Sequence, residues 1–266
     1  MNRFLKGAMI LTIAGVIVKI IGAFSKVLVA RILGGEGIGL YMMAYPIYQI
    51  IVSISAAGIP VAISIMIAEK LANRDMRGVQ QVFNVSLRVL TLVGIIFSVG
   101  LYASAEWLIK WNIITDSRAL IPIQLLSPAI IVVTILSCFR GYFQGFQYMV
   151  PTGTSQVFEQ IFRVGSMVGL AYYFIDSGLH LAAGGATFAT FPGVLAGLIV
   201  LVYFYRSQRS LRQQMLGEQN EEAPIERTSA VIKRLFALAI PVSMANIMLP
   251  MVSLIDTFIV PKRLMD

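Results

Sequence analysis

The chain has 266 residues, of which 58% are hydrophobic and only 13% charged. A soluble domain carries more charge than that, so the composition points to a protein that crosses a membrane several times. Its 21 lysines and arginines outnumber 13 acidic residues to give +8, yet they are scattered rather than clustered among aromatics, which argues against a nucleic-acid partner.

The same inventory narrows the chemistry. One cysteine, Cys138, excludes an internal disulfide and a multi-cysteine metal site, and one histidine, His180, leaves nothing for a histidine metal cluster or a Ser-His-Asp triad. Both read as packed or interfacial side chains. No phosphate-binding P-loop appears, so ATP is not the direct energy source. No loop holds paired carboxylates or a nucleophile beside a base, so no enzyme and no cofactor is expected.

Arg3 and Lys6 precede an apolar run from Ala8 to Ala30. The run is too long for a signal peptide, contains two lysines, and lacks a small-residue cleavage site before Arg31, so it reads as a retained first span. A lysine near the middle of a membrane costs about 2.5–3.5 kcal/mol on insertion scales, so Lys19 and Lys26 call for a function. At 100° per residue, Thr12, Gly15, Lys19, Gly22 and Lys26 share one face. That face is predicted to form one wall of a cavity.

Seven stretches reach spanning length, near 8–30, 40–67, 82–105, 119–138, 156–175, 180–205 and 235–260. Between the third and fourth, Trp107 and Trp111 suit a membrane–water interface. With the N-terminus inside, twelve basic residues between Arg3 and Arg234 flank the inner side, against Arg31, Lys110, Arg118, Lys262 and Arg263 outside. The positive-inside rule therefore places the N-terminus in the cytoplasm.

Several spans carry polar stripes. In the third, Gln81, Asn84, Arg88 and Thr91 share a face; Arg88 either lines the cavity or snorkels to the nearby edge. In the fifth, Gln156, Glu159, Arg163 and Ser166 do so, and Glu159 and Arg163 have the spacing of an intrahelical ion pair. That pair either lowers the insertion cost or lines the cavity and exchanges partners with a charged substrate. In the seventh, Asp256 is paired with a cation elsewhere or titrates as a proton or sodium site, with Asn246 and Ser253 nearby. The exit of the fourth span, Cys138 to Tyr148, reads as an aromatic, glycine-rich interfacial turn around Arg140. In the sixth, Gly185, Ala189, Gly193 and Gly197 recur every four residues, a face for close helix packing.

Residues 206–232 form the longest polar segment, with Glu218, Glu221, Glu222 and Pro224 within it. The expected organisation is an all-α integral membrane protein: a six-helix N-terminal lobe over 1–205, a cytoplasmic linker over 206–232, and the first helix of a truncated second lobe over 233–266. Leu5–Leu33 and Ile232–Leu264 echo each other, each with a basic flank, an apolar helix with a late ionisable residue, and a closing Arg-x-Leu or Lys-Arg-Leu. Parallel repeats of this kind build many transporters.

Three segments carry a family resemblance. They are Ala30-Arg-Ile-Leu-Gly-Gly-Glu-Gly-Ile-Gly-Leu-Tyr41 with Ala44-Tyr-Pro-Ile-Tyr48; Arg140-Gly-Tyr-Phe-Gln-Gly145 followed by Pro151 and Ser155 to Arg163; and Leu254 to Leu264. With them the chain resembles the multidrug/oligosaccharidyl-lipid/polysaccharide (MOP) flippase superfamily, in the polysaccharide biosynthesis branch that includes stage V sporulation protein B-type and MurJ-like lipid II flippases. The resemblance covers the first half of the usual member, whose two six-helix lobes form a V-shaped, MATE-like cavity. It implies flipping of an undecaprenyl-linked saccharide from the inner to the outer leaflet in a Gram-positive cell membrane, coupled to a proton or sodium gradient or the membrane potential. Lipid-linked oligosaccharide and cell-wall synthesis proteins are the implied partners. Lys19 falls on a position where MurJ-like proteins carry an essential cavity-facing basic residue. A second such position falls on Ser25-Lys26, where the charge is shifted and the acidic residue that follows it there is absent. On this reading Lys19, Lys26, Arg88 and Arg163 bind the substrate diphosphate, and Glu159, Asp256 and Arg140 support or couple the movement. Two rivals are a cation-coupled drug exporter of the same fold and a non-transporting scaffold of a polysaccharide assembly complex.

Overall fold

The computed structural model describes residues 3–111, 114, 116–217 and 226–265, and every regular element among them is helical. The helix α1 spans Arg3–Ser55, with a single non-helical residue at Gly34 (φ 66°, ψ −175°). Without a Cβ, glycine enters this region at little steric cost. A straight helix would hold Val18 and Tyr45 about 40 Å apart, yet both line one cavity. The chain therefore doubles back at Gly34, and the expected first and second spans are two legs joined by one residue rather than by a loop. Glu36, just past the bend, pairs with Arg118 Nη1 at 2.6 Å.

The second span is itself interrupted. After Ser55 the helix breaks at 56–58 and restarts as α2 (Ile59–Ala72), with Pro60 in its first turn, where a missing N–H costs nothing. Asp75 then caps α3 (Met76–Lys110), accepting from the Gly78 N–H at 2.7 Å. Trp107 and Trp111, both exposed and with ring centroids 6.0 Å apart, mark its far end. The helices α4 (Leu120–Gly145) and α5 (Val150–Phe174) follow.

The expected sixth span is two helices, α6 (Leu179–Phe188) and α7 (Thr190–Ser207), broken at Ala189. Their glycines pack on α5 as predicted. A Cβ on Gly185 would lie 3.1 Å from that of Leu170, one on Gly193 would lie 2.7 Å from that of Arg163, and one on Gly197 would lie 3.2 Å from the Ser155 carbonyl. Part of the segment expected as a linker is helical: α8 (Arg209–Gly217) follows α7 directly, and Arg212 lies 3.8 Å over the Tyr205 ring.

The last helix, α9 (Thr228–Met265), lays its first turns on α2 and α3. Glu226 pairs with Lys70 at 2.8 Å, Arg234 pairs with Glu69, and Ser243 Oγ accepts from the Gly58 N–H at 3.1 Å. Two apolar cores stack along the bundle. One joins α2, the start of α3, the end of α4, α7 and α9; the other joins α1, the far half of α3, the start of α4, α5 and α6. Large apolar side chains such as Phe24, Ile96 and Ile199 remain exposed around them. Five helical segments among the described residues are long and apolar enough to cross a membrane. One of these, Leu5–Ala72, contains the hairpin at Gly34, so it accounts for two crossings.

Candidate functional site

The two legs of α1 and the middle of α5 enclose a cavity of about 410 Å³. The first leg contributes Lys19, Gly22, Ser25 and Lys26; the second contributes Tyr41 and Tyr45; α5 contributes Gln160, Arg163 and Met167. Of the predicted stripe, Lys19, Gly22 and Lys26 line the cavity, whereas Thr12 and Gly15 do not. Gly22 lets α5 come close, since a Cβ there would meet the Gln160 amide nitrogen at 3.2 Å. Ser25 is spent locally, its hydroxyl donating to the Gly22 carbonyl at 2.7 Å. Thr12 lies outside the cavity and donates to Ala8 O at 2.9 Å.

Charge in the site is one-sided. Lys19 and Lys26 are exposed to the cavity and make no ion pair among the described residues. Arg163 is held by Glu159, as its spacing predicted. Glu159 has a second partner that the spacing did not show: it accepts from Nη2 of Arg140 on α4 at 2.7 Å. The side chains of Arg140, Glu159 and Arg163 are only 15–19% exposed. Two cations share one carboxylate, so the triad keeps a net positive charge, and the Nε of each arginine is buried without a hydrogen-bond partner. Among the described residues no carboxylate lines the cavity. A site whose cations outnumber its one nearby carboxylate, itself held between two arginines, favours an anion, and a cation–phosphate contact strengthens as water is excluded.

Arg140, read from the sequence as an interfacial turn residue, is thus a bundle-interior partner of Glu159. Arg88 is exposed on α3 and does not line the cavity. Its stripe neighbours are engaged elsewhere, Gln81 donating to Glu226 O at 2.6 Å and Thr91 to Leu87 O at 2.7 Å. Asp256 and Ser253 lie on the part of α9 whose side chains are outside the described residues. Asn246 donates to Val242 O within its own helix. Cys138 is fully buried beside the Phe83 carbonyl, as expected of a packed thiol.

Three cavity residues escaped the sequence reading. Tyr41, Tyr45 and Tyr48 recur at helical spacing, and the first two line the cavity with their rings stacked 5.4 Å apart. Gln160 follows Glu159 in the chain, lines the cavity, and was hidden by the charged stripe beside it. The aromatic repeat was a usable signal; the glutamine was not.

The described residues thus form an all-helical bundle with a charged cavity between its first helical hairpin and a later helix. The chain has the fold seen in the crystal structure of MATE in complex with MaD3S, at TM-score 0.74 and 16% identity over 92% of this chain and 53% of that one. The profile of the polysaccharide biosynthesis protein family matches residues 4–265, and the chain belongs to that family. It is 34% identical to stage V sporulation protein B of Bacillus subtilis (strain 168) over 79% of this chain and 40% of that protein. It is 26% identical to lipid II flippase MurJ of the same organism over 100% of this chain and 50% of the relative. The chain thus spans about half the length of the curated relatives it matches. The outward-facing conformation of a multidrug resistance MATE family transporter of the MOP superfamily shares this fold too, at TM-score 0.71 and 16% identity over 92% of this chain and 53% of that one.

Proposed function

We propose that this chain is one lobe of a flippase that moves an undecaprenyl-diphosphate-linked saccharide, lipid II or a related polysaccharide precursor, across the cytoplasmic membrane of a Gram-positive bacterium by alternating access. The observation that carries the reading is the convergence of Lys19, Lys26 and Arg163 on one cavity that no carboxylate lines. A drug exporter with cationic substrates needs the opposite polarity. Lys19 and Lys26 attract the substrate diphosphate, and Arg163, steadied by Glu159 and Arg140, is the third cation. The outer face of the same helix exposes Ile13, Ile20 and Phe24 to lipid, where the polyprenyl tail stays.

On this reading residues 1–205 form the lobe, 206–232 the cytoplasmic linker and 233–266 the first helix of a second lobe, with the N-terminus inside. Asp256 belongs to the coupling machinery, and the reading requires transport without enzymatic chemistry. Energy comes from an ion gradient or the membrane potential, worth about 2.3 kcal/mol per charge per 100 mV. The test is Lys19→Ala in the full-length protein, followed by a leaflet-specific assay of lipid-linked precursors in cells depleted of the native protein. Translocation should be lost while membrane insertion is unchanged. Wild-type flipping by a well-expressed variant would remove Lys19 from the mechanism. Drug resistance on expression, with wall precursors undisturbed, would favour the exporter.

A further inference from the structure

Beside the cations, the cavity holds a second group of side chains that bare diphosphate recognition leaves unused. Gln160 is only 7% exposed, lines the cavity, and makes no hydrogen bond with any described residue. Its amide carries two donor hydrogens and an acceptor oxygen. With no protein partner, that amide is left to hydrogen-bond with whatever occupies the cavity it lines. Across from α5, Tyr41 and Tyr45 stack at 5.4 Å with their planes 17° apart. Tyr41 is 7% exposed and fixed, while Tyr45 is half-buried and presents more of its ring.

We infer that Tyr45, backed by Tyr41, and Gln160 form a saccharide-recognition subsite, adjoining the diphosphate subsite made by Lys19, Lys26 and Arg163. The inference rests on the proposed flippase reading and names the part of the substrate that reading leaves unassigned. An aromatic face carries negative quadrupole charge and suits the C–H face of a pyranose ring. An amide that both donates and accepts suits a hydroxyl or acetamido group, which does the same. The lysines meet neither requirement, since they only donate. At about 410 Å³ the cavity falls in the range of small-molecule sites. A few directed polar groups on an aromatic wall are how such sites select their ligand. The preferred ligand chemistry is therefore a pyranose saccharide joined to a diphosphate, for which an N-acetylhexosamine serves as the probe.

The full-length protein in nanodiscs is titrated with two probes: undecaprenyl diphosphate, and the same lipid carrying one N-acetylhexosamine. Wild type should bind the sugar-bearing lipid about tenfold more tightly or better. Tyr45→Leu and Gln160→Met should each erase most of that preference while binding the bare lipid within about twofold of wild type, which also shows that they fold. Tyr45→Phe, which keeps the ring, should keep the preference. Lys19→Ala should weaken both lipids alike. Retention of the full preference by both Tyr45→Leu and Gln160→Met would overturn the subsite. Equal binding of the two lipids by wild type would overturn it while leaving the flippase reading standing. Failure of wild type to bind either lipid would overturn both.

Discussion

Arg140 donates through Nη2 to a carboxylate oxygen of Glu159 at 2.7 Å, joining α4 to α5 inside the bundle while the same carboxylate holds Arg163. The arrangement is asymmetric. Removing either arginine leaves Glu159 with one partner, whereas removing the carboxylate strands two buried cations.

That asymmetry predicts unequal costs. Breaking a buried pair so that a charge is left alone costs about 3–5 kcal/mol. Glu159→Gln should therefore lower stability by about 3 kcal/mol or more, and Arg140→Met by less than half of that. Thermal unfolding of the detergent-purified protein reads both values, and equal losses would mean that the two ion pairs do not share a partner energetically.

Gly34 gives a second prediction. Its φ of 66° with ψ of −175° lies in a region that other residues rarely enter, at a cost of about 1–3 kcal/mol. Gly34→Ala should cost about that much and lower substrate binding, because Lys19 and Tyr45 stand on opposite sides of the bend. Gly35→Ala is the control: a Cβ there meets nothing within 4 Å and the backbone is helical, so it should be tolerated.

A third concerns pH. Asp116 caps the turn Ser117–Ala119, accepting from the Arg118 N–H at 2.9 Å and from its guanidinium. The hydrogen bonds from Arg118 hold its carboxyl below the usual carboxylate range, against a smaller opposing effect of burial. A depressed folded-state pKa adds stability above the unfolded value, near 3.9, and loses it as pH falls through the folded value. Asp116→Asn should thus lower the Tm at pH 7, and the gap to wild type should close as pH falls below the usual carboxylate range. A gap that widened in acid would contradict this role.

Much of the molecule was legible from local pattern. Apolar length located the helices of the third, fourth and fifth expected spans, though α5 is not among the segments apolar enough to cross a membrane. Helical periodicity located the basic stripe of the first, the small-residue face of the sixth and the Glu159–Arg163 pair, because each depends on neighbours within a turn or two. The breaks were written as well, in Gly58 and Pro60 before α2, but the apolar run across them masked the interruption. What periodicity cannot show is which helix a face meets. Arg140 and Glu159 lie 19 residues apart, and only tertiary packing brings them together. Arg88 has a stripe as regular as that of Arg163, yet α3 turns it outward. Gln160 owes its role to a missing side chain at Gly22, on a helix more than a hundred residues earlier.

The hairpin at Gly34 makes the site a pair of calipers. One arm carries Lys19 and Lys26, the other Tyr41 and Tyr45, and a single residue is the rivet. Lys19 stands about 22 Å from the pivot along its arm. Opening the angle by about 10° shifts it by about 4 Å relative to the opposite arm, and shifts Lys26, nearer the rivet, by about 2 Å. The gap between the arms is therefore set by two backbone torsions of one glycine, and it widens most at the end where Lys19 sits.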